Sequence, residues 1–109
     1  MAELIVAFDV PTGREALALA ARLPALQWAK LGSMLYVREG PALLRAALGP
    51  DLWIVVPGVR APGEASSDQA RTVAPLDAVR CGATHLVVGR PITLAKDPAG
   101  VYQRLMEAL

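Results

Sequence analysis

The sequence predicts an α/β fold: short apolar strands alternate with amphipathic helices, polar residues stand where the apolar runs stop, and helix start and stop residues separate them. The chain has 109 residues, 54% of them apolar and 19% charged, which fits one folded domain with a modest core. Such alternation calls for parallel strands joined by right-handed crossovers, in an open doubly wound sheet or an arc of a β/α barrel. Four strand–helix units fill the chain, too few to close a standard barrel.

The first unit opens with Leu4 to Phe8, a continuous apolar run ending at Asp9, as in a strand buried on both faces. Thr12 and Glu15 have capping-box spacing, and the helix after them places Ala16, Leu19, Ala20 and Leu23 on one side. In the second unit "LQWAKLG" is a short strand carrying Lys30 near its end. Its helix has Pro41 at a first helical position and Gly49 as a stop. "LWIVVPG" is the third strand, followed by a long polar loop and a short helix around "PLDAVRCG". "HLVVGR" is the fourth, and in the last helix Asp97 caps, Pro98 starts, and Val101, Leu105, Ala108 and Leu109 share a face.

A net charge of about +1 with interspersed signs offers no basic face for nucleic acid and no polybasic patch for a membrane. The single cysteine, Cys81, excludes an internal disulfide or a cysteine zinc cluster. The opening residues are interrupted by Asp9 too soon for a signal peptide or a membrane span, so a cytoplasmic location is expected.

Ligands of parallel β/α folds bind at the carboxyl ends of the strands. There the sequence places Asp9, Lys30, the turn Pro57-Gly58-Val59-Arg60, and Gly89-Arg90. One carboxylate, one amine and two guanidinium groups suit a polar, anionic ligand. Glycine lets backbone N–H groups approach an anion, and Gln69 adds a neutral amide donor. His85 has no second metal ligand at a telling spacing and reads as a surface or hydrogen-bonded histidine. Cys81 reads as a small packing residue, Trp28 and Trp53 as core, and Ser66-Ser67 as plain loop.

"IVAFDVP" with "WAKLG" resembles the first two strands of the orotidine 5′-phosphate decarboxylase family. The stretch from "LWIVVPGVRAPGEASSDQAR" to "VVGRPITLAKDP" resembles its last two strand–loop units. The resemblance implies a partial TIM (β/α)8 barrel, a single incomplete domain over 1–109, with 1–49 similar to units one and two and 50–109 to units seven and eight. It implies that Asp9 contacts the substrate ribose and that Lys30 sits beside it as an auxiliary to catalysis. Arg60, Gln69, Gly89 and Arg90 would hold the 5′-phosphate, with Pro57 and Gly58 shaping the pyrimidine and phosphate side. The implied reaction converts orotidine monophosphate to uridine monophosphate and carbon dioxide, without metal or organic cofactor.

One departure limits this. The family's catalytic aspartate-x-lysine motif, followed shortly by a second aspartate, occurs nowhere in the chain, and Asp51 and Asp68 lack the spacing to replace it. The family's proton donor is therefore absent, and catalysis is expected to be absent or very slow. Two further readings stay open: a non-catalytic phosphate-binding or self-associating half barrel, pairing as a homodimer, and a relative acting on a sugar phosphate, such as a hexulose phosphate synthase.

Overall fold

The computed structural model describes residues 1–32, 41–58 and 74–109. Four parallel strands form one sheet in the order β1-β2-β3-β4: β1 is Val6–Phe8, β2 Trp28–Leu31, β3 Trp53–Val56 and β4 His85–Leu86. The connecting helices are α1 (Gly13–Ala21), α2 (Pro41–Leu48) and α3 (Pro75–Arg80). A short α4 (Arg90–Thr93) and the terminal α5 (Pro98–Glu107) follow β4. Because the strands advance in chain order without reversal, right-handed crossovers put the helices on the same face of the sheet, as in a barrel. A doubly wound sheet would need a reversal of order.

Local chemistry sets the helix ends. Thr12 Oγ1 accepts the Glu15 N–H at 3.2 Å, and its hydroxyl lies 3.2 Å from Glu15 Oε2, so the glutamate returns to the capping hydroxyl. Pro41 begins α2, and Gly49 ends it with φ of 98°, a left-handed stop that costs glycine little. Asp97 Oδ1 accepts the Gly100 N–H at 3.2 Å and Pro98 opens α5. On α5 Val101 and Leu105 are buried, whereas Ala108 and Leu109, expected on the same face, are exposed at the helix end.

The core lies between the sheet and its helices. Phe8, Ala29, Leu31, Ile54 and Val56 meet Ala16, Ala20, Leu44 and Ala78, with Leu52 and Ala83 at the strand approaches. Alternate strand residues are in register on the opposite face: Ala7 with Lys30, Lys30 with Val55, Val55 with His85, and Trp28 with Trp53. The expectation of strands buried on both faces holds only in β3, where Ile54, Val55 and Val56 are all buried. Ala7 and Trp53 are exposed because an arc of sheet leaves its inner face open.

The two tryptophans sit on that open face. Their rings stack with centroids 5.1 Å apart and planes 14° apart, and His85 tilts against both at 5.1 Å. Trp53 is therefore no core residue; it is 45% exposed. Trp28 Nε1 is buried and has no hydrogen-bond partner among the described residues. Cys81, expected to pack, is exposed at the end of α3. Thr84 ties β4 to β3: its Oγ1 accepts the Ile54 N–H at 2.8 Å and lies 3.0 Å from the Ile54 carbonyl. It also lies 3.0 Å from His85 Nδ1, as expected for a hydrogen-bonded histidine.

Candidate functional site

All four strands point the same way, so their carboxyl ends form a single rim. Asp9 follows β1 directly, while Lys30 is the penultimate residue of β2 and alternates away from the buried pair Ala29 and Leu31. The two ends meet: Lys30 Nζ is 3.8 Å from Asp9 Oδ1, with both side chains partly open to solvent. Asp9 Oδ1 also lies 3.6 Å from where a side chain at Gly32 would begin, so the second strand's exit stays narrow beside the carboxylate.

Pro57 and Gly58 continue from β3, the most buried strand, and Gly58 has φ of 75°, which turns the chain sharply at the rim. After β4 the backbone runs through Val87 and Val88 to Gly89, which precedes α4, and Arg90 is its first residue and exposed. Among the described residues nothing lies within 4 Å of the position a Gly89 Cβ would take. Thus Asp9, Lys30, Pro57, Gly58, Gly89 and Arg90 share one rim, with the carboxylate–ammonium pair toward the β1 edge and the Gly89-Arg90 corner at the β4 edge. Arg60 and Gln69, expected on the phosphate side, lie outside the described residues, as do Ser66 and Ser67.

Such a rim can hold a polyhydroxylated anion. A carboxylate accepts hydrogen bonds from hydroxyl groups, an ammonium neutralises negative charge, and a guanidinium beside an uncrowded glycine suits phosphate oxygens. The stacked tryptophans and His85 were not expected from the sequence. They line the inner face rather than the rim, and the signal that could have grouped them was the equal spacing of Trp28, Trp53 and His85 from their strand starts.

Known proteins resemble the chain in sequence and in fold. Residues 41–105 match the Orotidine 5'-phosphate decarboxylase / HUMPS family. An orotidine 5'-phosphate decarboxylase of Methylobacterium sp. is 52% identical over 68 residues, covering 62% of this chain and 29% of that protein. The corresponding enzyme of Geobacter sulfurreducens is 49% identical over 72 residues, 66% of this chain and 30% of that protein. The crystal structure of orotidine 5'-phosphate decarboxylase from Lactobacillus acidophilus superposes with a TM-score of 0.60 at 30% identity, covering 88% of this chain and 37% of that one. The chain thus spans about a third or less of the curated relatives it matches.

The matched span holds the Pro57-Gly58 turn and the Gly89-Arg90 corner, while Asp9 and Lys30 precede it. The parallel order without reversal is that of a partial β/α barrel, and the superposition is on such an enzyme. With sequence and fold in agreement, the chain belongs to the orotidine 5′-phosphate decarboxylase / HUMPS family.

Proposed function

We propose that this chain binds a pyrimidine nucleoside 5′-monophosphate along the carboxyl rim of its sheet and does not itself turn over orotidine monophosphate at an enzymatic rate. The observation that carries this reading is the common rim of the Asp9–Lys30 pair and the Gly89-Arg90 corner. Asp9 accepts hydrogen bonds from the ribose hydroxyls, and Lys30 holds Asp9 in place while facing the ribose. Gly89 and Arg90 take the phosphate, with Arg60 and Gln69 assigned to the same group by resemblance. Pro57 and Gly58 shape the side between base and phosphate.

In the decarboxylation the bond from the pyrimidine ring to its carboxylate breaks, carbon dioxide leaves, and the electron pair remains on the ring carbon until a proton arrives. A lysine flanked by aspartates suits both tasks, and the sequence has no aspartate-x-lysine motif to supply it. Lys30 is engaged with Asp9. Phosphate binding remains useful without chemistry, since a remote dianion supplies much of a nucleotide's binding energy.

The test is a decarboxylation assay on folded chain, following loss of orotidine monophosphate absorbance, alongside a binding titration with uridine monophosphate. Binding without turnover above the uncatalysed background is the expected result. Turnover would make the chain itself the enzyme, and failure to bind would remove the nucleotide reading.

A further inference from the structure

We propose that two copies of this chain close into one eight-stranded β/α barrel, with β4 of each copy pairing in parallel with β1 of the other. Among the described residues the sheet has four parallel strands, half of those in a closed barrel of this type, and β1 and β4 are its outer strands. Closing a parallel sheet twice over leaves one junction type, β4 to β1, and a two-fold axis along the barrel generates both junctions. Closure removes the open edges and covers the inner face that exposes Trp53.

The unpaired strand ends mark the junction. The sequence predicts strands over Leu4–Phe8 and through Val88, yet pairing stops at Val6 on one edge and at Leu86 on the other. Of the apolar residues left over, Leu4 is 85% exposed, Ile5 52% and Val87 49%, while Val88 is half-buried against the core. Their side chains are β-compatible; Val87 donates its N–H to the Val56 carbonyl on the β3 side at 3.0 Å, and among the described residues no strand lies outside β1 or β4.

Register brings the leftovers together. The ladder Ala7–Lys30–Val55–His85 runs from the middle of β1 to the first residue of β4, so it descends toward the strand starts as it crosses the sheet. A closed barrel of eight strands is sheared by about eight residues per circuit, or about four per half. The next partner of His85 is then Glu3 of the second copy, four residues before Ala7. Leu86 falls opposite Leu4, Val87 opposite Ile5 and Val88 opposite Val6, matching the unpaired segments to each other. An even stagger also keeps the faces consistent: Ile5 and Val87 line the barrel interior, while Leu4 and Leu86 face the helices.

That helix side is already hollow. A cavity of about 370 Å³ lies beside β4 between α3 and α5, lined by Val79, Leu86, Val88, Tyr102, Leu105 and Met106 among others. Leu4 of the second copy, opposite Leu86, points toward it. The same register ends with Val88 opposite Val6 of the other chain, so the Gly89-Arg90 corner that follows β4 comes to the rim near its Asp9. Each ligand site is therefore built from the Asp9–Lys30 pair of one copy and the Gly89-Arg90 corner of the other. This assignment of the ligand rests on the proposed function; the closure does not.

Sedimentation equilibrium of the intact chain without nucleotide is expected to give twice the 11.5 kDa chain mass. Leu4→Asp changes a side chain exposed in the single copy, so the mass should fall to one chain with the far-ultraviolet circular dichroism retained. In a Cys81→Ser background, Ile5→Cys with Val87→Cys should be joined between chains by a short bifunctional thiol reagent, and either cysteine alone should not. If Leu4→Asp does not fold, the crosslink decides. A single-chain mass up to ~0.1 mM, a dimer indifferent to Leu4→Asp, or a dimer without the Ile5–Val87 crosslink overturns the proposal. Because no nucleotide is present, failure of ligand binding leaves these outcomes unchanged.

Discussion

Lys30 and Asp9 join the ends of β1 and β2 through a 3.8 Å contact between ammonium and carboxylate, with the two side chains 38% and 68% exposed. A pair this open contributes little to folding, of the order of 1 kcal/mol or less. Lys30→Ala and Asp9→Asn are therefore expected to leave the thermal midpoint nearly unchanged while weakening uridine monophosphate binding. Thermal melts beside calorimetric titrations check this. A large loss of stability with unaltered binding would make the pair structural.

Thr84 gives the opposite expectation. Its hydroxyl serves the Ile54 backbone and holds the edge strand β4 to β3. Thr84→Val keeps the shape but leaves the Ile54 N–H without that acceptor, at a cost of about 1–3 kcal/mol. Thr84→Ser should recover most of the loss, as measured by urea denaturation.

The Trp28 ring carries a buried N–H with no partner among the described residues, so its indole nitrogen is expected to contribute a penalty while its ring area contributes packing. Trp28→Phe is expected to be near neutral, and Trp28→Ala to cost about 2–4 kcal/mol. A cycle with Trp53→Phe should return a coupling of about 0.5–1.5 kcal/mol from the stacked pair. A strongly destabilising Trp28→Phe would show that the N–H has a partner.

At the α5 start, Asp97→Ala removes the side-chain acceptor for the Gly100 N–H and should cost about 1 kcal/mol. Asp97→Asn should retain most of the cap. Hydrogen exchange at Gly100 reports the change locally, with faster exchange expected only in the alanine variant.

Much of this was legible in the sequence where local chemistry decides. Thr12 with Glu15, Pro41, Gly49 and Asp97 with Pro98 mark helix ends because capping involves neighbours within a few residues. The rim residues were legible too, since an apolar run that stops at a charge locates a strand end. Strand length and two-sided burial were not, because they depend on which strand lies alongside: Leu4 and Ile5 have strand-like side chains but lie outside the ladder, which begins at Val6. Trp53 reads as core by composition, yet the open inner face leaves it exposed and stacked on Trp28. Cys81 follows the same logic, exposed because α3 ends there with nothing packed over it.

The proposed role of the rim is to grip a 5′-phosphate. Its most direct test is calorimetric titration of the folded chain with uridine monophosphate and with uridine, repeated on Arg90→Ala. The phosphate is expected to raise affinity by at least about tenfold, or about 1.4 kcal/mol, and Arg90→Ala to remove most of that difference while leaving uridine binding unchanged. Equal affinity for the two ligands, or equal losses for both in Arg90→Ala, would contradict it.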